Sequence, residues 1–195
     1  MPRRAASNLV PDWNALYGVA QVQAGYFSSL QAKEVGFSLP LLQYHLTTGR
    51  LERARRGIFR VHHFPPHPLE EFVVLWLWSD RQGVFSHTTA LSLYDLSDVL
   101  PSRIHLTLPS SWAQSRVKWP EEVVAHFADV PADERVWHDL VPVTTPLRTL
   151  RDCGEGGLSG EHYRQALHDA VKRGLVTAKQ LRLTVPSRTS TRRSR

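Results

Sequence analysis

Five arginines stand within eleven residues in RLERARRGIFR, residues 50–60, against one acid, Glu52. A guanidinium keeps its charge at physiological pH and offers a fork of N–H donors that fits phosphate oxygens, so Arg50, Arg53, Arg55, Arg56 and Arg60 are candidate contacts to a nucleic-acid backbone. Just upstream, SLPLLQYHLTT, residues 38–48, carries side chains of the kind that meet base edges. Gln43 can pair its amide with adenine, Thr47 can meet a thymine methyl or a phosphate, and Tyr44 can donate to a phosphate oxygen. Ser38, Pro40 and Thr48 complete the candidate surface. No arginine falls on this stretch, so guanine reading is not expected from it.

Other chemistry lacks a constellation. Cys153 is the only cysteine, which excludes an intrachain disulfide and paired-cysteine zinc sites. Among the ten histidines, His62, His63 and His67 are simplest as surface residues of a proline-rich connector. His162 and His168 lie six apart, whereas two ligands on one helix face usually sit four apart. Ser86-His87 reads as a helix start, in which adjacent residues do not face each other. GEGG at 154–157 lacks the Lys-Ser/Thr pair of a phosphate loop, and no Glu-x-Lys of a metal-dependent nuclease occurs. The expectation is a protein without catalytic residues, metal or cofactor.

The elements that must position the basic and polar residues are legible in capping and turn signals. Asp12 opens a helical pattern in WNALYGVAQVQAGYF, with Leu16, Val19, Ala20 and Gln23 at three- and four-residue steps. Ser28 or Ser29 caps a short helix whose Leu30 and Val35 are expected to point inward and whose stop is Gly36. Ser38 caps a third helix with Pro40 in its first turn and Gly49 past its end. With Leu42 and Leu46 inward, Pro40, Gln43, Tyr44 and Thr47 face out, with Thr48 at the edge. The arginine-rich stretch alternates around Arg-Arg-Gly as a hairpin. Helix, helix, helix, basic hairpin is the order of a winged helix-turn-helix, assigned to residues 1–66.

After the connector HHFPPHP the pattern restarts as an apolar helix, LEEFVVLWLWSD, whose Trp76 and Trp78 cannot share one helix face. A Ser86-capped helix, strands in IHLTLP and VVAHFADV, a strand near 136–143 and three further helices complete a mixed α+β domain at 67–185. The basic PSRTSTRRSR, residues 186–195, is expected to be disordered. The fold class is therefore α+β, a winged helix-turn-helix followed by a mixed α+β domain.

Charge follows this division. Residues 1–66 carry net +5, residues 67–185 net −3 and the last ten residues net +4, within an overall +6. A basic front meets phosphate, and an acidic body is suited to another task. No signal-peptide pattern or apolar run of membrane-span length occurs, so a cytoplasmic protein without a membrane partner is expected.

Several motifs together resemble one family. LERARRGIFRV, GVFSHTTALSLYDLSDVLPSRIHLTLP, and VTTPLRTLRDC followed by AVKRGLVTAKQL, spread from about Leu16 to Leu183, are similar to the AbiEi-type antitoxins and antitoxin-like regulators of bacterial type IV toxin–antitoxin systems. The resemblance implies a winged helix that represses its own promoter at inverted repeats, with Arg53, Arg55, Arg56 and Arg60 as operator contacts. It also implies a C-terminal domain that counters a nucleotidyltransferase-like toxin. Its partners would be double-stranded DNA, on which a chain that is monomeric in solution can bind as a pair, and that toxin. The chain departs from the family's frequent arginines on the recognition helix, showing Gln43, Tyr44 and Thr47. The alternatives are a stand-alone winged-helix regulator and a protein-interaction module without a toxin partner.

Overall fold

The computed structural model describes residues 10–115 and 117–184. The basic N-terminal stretch at 1–9 and the tail at 186–195 lie outside the described residues. The fold is α+β and divides into two compact units, Met1–Gln82 with Asp139–Val141, and Gly83–His138 with Pro142–Arg195.

The first unit opens with α1 (Trp13–Gln21), capped by Asp12, whose carboxylate accepts from the Asn14 and Ala15 N–H groups at 2.9 and 3.0 Å. The helix stops short of the Phe27 that its periodicity suggests. Ala24 and Gly25 both take positive φ, and Tyr26–Ser28 forms a strand, β1. Gly25 is required twice over: its backbone is left-handed, and a Cβ there would overlap the Phe64 ring. Ser28 then caps α2 (Ser29–Glu34) in a capping box closed by Gln31. Contrary to expectation, Leu30 is 56% exposed, and Gln31 and Ala32 are the residues turned inward. Ser38 caps α3 (Leu39–Thr47), its hydroxyl accepting from Leu41 N–H at 3.3 Å.

The hairpin consists of β2 (Leu51–Arg55) and β3 (Ile58–Val61), joined through Arg56 and a Gly57 at φ 79°. β1 lies on the other side of β3, so the antiparallel order is β1-β3-β2. Leu16, Ala20, Phe27, Ala32, Phe37, Leu42, Leu51 and Phe59 form the core, which draws on every element named so far. Helices of six to nine residues are marginal alone, and this shared core is what holds them.

α4 (Glu70–Trp78) is apolar almost all round, buried from Val73 through Leu77, and packs on β1, β2 and β3. Trp76 is buried and Trp78 half-buried. By its contacts this helix belongs to the first unit, whereas the proline-rich connector suggests a boundary at residue 66. Proline marks a break in regular structure, and here the break leads into a helix that covers the same sheet.

The second unit contains β4 (Val84–Phe85), α5 (His87–Leu93), β5 (Ile104–Leu108), β6 (Val123–Phe127), β7 (Arg135–His138), β8 (Val141–Thr144), α6 (Pro146–Glu155), α7 (Gly160–Lys172) and α8 (Ala178–Thr184). Its sheet has the order β6-β5-β4-β8-β7, with β5/β6 and β4/β8 parallel and β4/β5 antiparallel. The single strand expected near 136–143 is two, because Asp139 takes φ 54° and turns the chain between β7 and β8. Leu91, Leu96, Leu150, Cys153, Ala166, Ala170 and Val176 bring α5, α6 and α7 together over one core. Among the described residues no helix is long and apolar enough to cross a membrane.

Candidate nucleic-acid interface

α3 turns Leu42 and, partly, Leu46 into the core, and leaves Ser38, Pro40, Gln43, Tyr44, Thr47 and Thr48 exposed, as the helical spacing predicts. The inner face also holds His45, which is buried. His45 packs edge-on to the Trp13 ring at 4.7 Å, and burial, with a smaller contribution from Arg50, holds its pKa below the ordinary imidazole value. An uncharged, aromatic histidine serves there as a core residue.

The polar groups of α3 are partly committed. Thr47 donates its hydroxyl to the Tyr44 carbonyl at 2.8 Å, and Thr48 donates to the same carbonyl at 3.1 Å. These bonds spend the hydroxyl protons on the last turn of the helix, so each threonine offers an acceptor oxygen and a methyl group outward. Arg53 donates to Gln43 Oε1 at 3.1 Å and lies over the Phe59 ring at 5.7 Å. That bond ties the outer face of α3 to the hairpin. The Gln43 oxygen keeps a second lone pair and its amide keeps both N–H donors, so the side chain can still form a paired contact with an adenine edge.

The arginines divide into two groups. Arg50, Arg53 and Arg56 are exposed, Arg55 is half-buried beside the hairpin turn, and a register shift between Arg53 and Arg55 bends β2 there. Arg60 does not join them, which corrects its assignment as an outward contact. It donates to the Phe64 carbonyl at 2.9 Å and to Glu70 Oε1 at 3.2 Å, and lies over the Tyr26 ring at 5.3 Å. β3 is covered on both faces, since the adjacent Ile58 and Phe59 are both buried, and Arg60 falls beside Tyr26 of β1, its register partner.

Glu70 is the centre of that knot. It also accepts from Tyr26 Oη at 2.9 Å and from His67 N–H at 2.8 Å. Burial alone would raise the Glu70 pKa, but these two hydrogen bonds and the Arg60 charge together hold it below the usual carboxylate value. Burial and the bond to Glu70 push the Tyr26 phenol up to about 12. The knot ties β1 and β3 to the start of α4.

Outside this surface, His62 and His63 are exposed at the end of the hairpin, their rings 3.6 Å apart, with His62 paired to Glu52. His168 pairs with its neighbour Asp169 rather than with His162. Ser86-His87 is a helix start, with Ser86 the N-cap of α5, but the two side chains do face each other: His87 takes φ 51°, which turns its ring back so that Nδ1 meets Ser86 Oγ at 2.9 Å. Neighbouring residues of a regular helix cannot do this, but a left-handed first residue can.

No protein-family model and no curated protein matches the chain. The fold has a solved counterpart. The crystal structure of the RV2827C protein from Mycobacterium tuberculosis aligns with 92% of this chain and 73% of that one, with a TM-score of 0.53 and 14% sequence identity. At that identity the likeness speaks for the architecture alone.

Proposed function

We propose that the first unit is a winged helix-turn-helix that binds duplex DNA, and that the chain is a repressor-antitoxin of the type IV kind. In this reading α3 enters the major groove and presents Pro40, Gln43, Tyr44 and Thr47 to base edges. The hairpin β2–β3 is the wing, with Arg50, Arg53, Arg55 and Arg56 meeting phosphates or a minor groove. The second unit counters a nucleotidyltransferase-like toxin. The observation that carries the DNA half is the hydrogen bond from Arg53 to Gln43, which couples an exposed polar helix face to a basic hairpin. The antitoxin half rests on the ordered motifs shared with the AbiEi-type proteins.

The test has two arms on the full chain. Titration of a duplex from the gene's own promoter is expected to give binding stronger than to a scrambled duplex, with an affinity that falls steeply as salt rises. Co-expression with the toxin of a neighbouring reading frame is expected to restore growth. Equal, salt-insensitive binding to both duplexes removes the DNA half, and growth arrest that persists despite co-expression removes the antitoxin half.

A further inference from the structure

Three histidines that are far apart in sequence meet in the second unit. His87 opens α5, His105 lies on β5 and His126 lies on β6. In the parallel register His105 is level with Val124 and Thr107 with His126, which sets the two imidazoles diagonally on one face of adjacent strands. His105 Nδ1 and His126 Nε2 are 2.9 Å apart, and the His87 ring stacks on the His126 ring at 3.7 Å. One ring nitrogen from each of the three lies within 4.8 Å of the others.

We propose that His87, His105 and His126 bind a single divalent cation of the borderline d-block class, Zn²⁺ foremost, through one nitrogen each. Tetrahedral coordination at about 2.0–2.1 Å places ligand nitrogens about 3.4 Å apart. The closest pair must open slightly and the widest must close, which small ring rotations of half-buried side chains supply.

The surroundings suit a cation. Burial lowers the pKa of all three, and the proximity of the neighbouring rings adds to this at His87, lowered to about 3, and His105, lowered to about 4. A metal ligand must be a neutral imidazole. Ser86, fully buried and itself accepting from Thr107 at 2.7 Å, orients the His87 ring, as the polar partners of metal-bound histidines do. His87 and His126 also line a pocket with Thr107, Arg148, Asp152 and Glu155. Asp152 is buried and its Oδ2 has no hydrogen-bond partner among the described residues. The Arg148 charge acts on His87, lowering its pKa, and is offset by ion pairs to Glu134 and Asp152. Three imidazoles with a fourth position open to a pocket is the donor set of zinc sites that keep an exchangeable ligand.

The test uses the full, untagged chain. Titration with CoCl₂, followed by its visible absorption, is expected to give one tetrahedral site per chain that ZnCl₂ displaces. Loss of a partner of a ligand costs 10–100-fold in affinity, so removal of two ligands in H105Q/H126Q is expected to weaken binding by at least about 100-fold. H62Q/H63Q, which removes the exposed pair, is expected to bind as the wild type does. Binding that is unaffected in H105Q/H126Q, or that disappears in H62Q/H63Q, overturns the proposal. A reading without any variant comes from the histidine side-chain ¹⁵N spectrum of the wild type titrated with ZnCl₂. Shifts of His87, His105 and His126 together are expected, and shifts confined to His62 and His63 overturn the assignment.

Discussion

The two units use arginine in opposite ways. Along the hairpin of the first unit, Arg50, Arg53 and Arg56 are exposed, and the nearby acid Glu52 is engaged by His62. In the second unit, Arg148 and Arg151 converge on Glu134, and Arg148 also holds Asp152 at 2.7 Å. Carboxylate partners therefore decide whether a guanidinium is available to phosphate or serves the fold. Arg60 sharpens the point, since it lies in the basic hairpin by sequence and behaves like Arg148 through its bond to Glu70.

The largest expected effect lies in the second unit. Glu134→Ala leaves Arg148 and Arg151 without their shared partner, and Glu134 is three-quarters buried. Discounted for partial exposure, the loss is about 2–3 kcal/mol of unfolding free energy by urea denaturation, with DNA affinity unchanged. A loss under about 0.5 kcal/mol, the ordinary range of a surface change, would break the contrast.

Next comes Arg60→Ala. Removing bonds to the Phe64 carbonyl and Glu70 is expected to cost about 1–2 kcal/mol of stability, while the salt dependence of DNA binding stays as in the wild type. A stable variant with a shallower salt slope would return Arg60 to the DNA surface. Gln43→Ala acts on binding alone: about 1–3 kcal/mol is expected at one base pair, read by titrating cognate and single-substituted duplexes. Equal losses on every duplex would place Gln43 on the backbone instead.

The smallest effect is a pH dependence. The Glu70 pKa is lowered in the folded chain, so its contribution is complete above the ordinary carboxylate pKa and is lost as pH falls through the lowered value. Denaturation curves of wild type and Glu70→Gln are expected to converge in acid and separate above it, with the wild type the more stable. Parallel curves at every pH would show that Glu70 does not change its pKa on folding.

Much of the first unit was legible because its signals are local. Ser28, Ser38 and Gly57 stand where the caps and the turn need them, and the spacing of α3 correctly turned Gln43, Tyr44 and Thr47 outward. What was missed depends on partners distant in sequence. β1 is three residues long and exists because β3 pairs with it, and Leu30 is displaced from the core by the Gln31–Gln23 bonding. Arg60 looked available because Glu70 lies beyond a proline-rich break. The His87–His105–His126 cluster was hidden for the same reason: His87 opens a helix, His105 and His126 lie on separate strands, and the register that joins β5 to β6 is a property of the sheet.

The most direct measurement is the slope of log affinity against log salt for a promoter duplex, compared among wild type, R55A/R56A and R151A. Each phosphate contact contributes about 0.9 to that slope. The predicted result is a slope shallower by up to about two in R55A/R56A and unchanged in R151A, with all three chains folded. A slope that R55A/R56A leaves unchanged, or that R151A reduces as much, contradicts the claim that the first unit's hairpin arginines, and not those of the second unit, meet the nucleic-acid backbone.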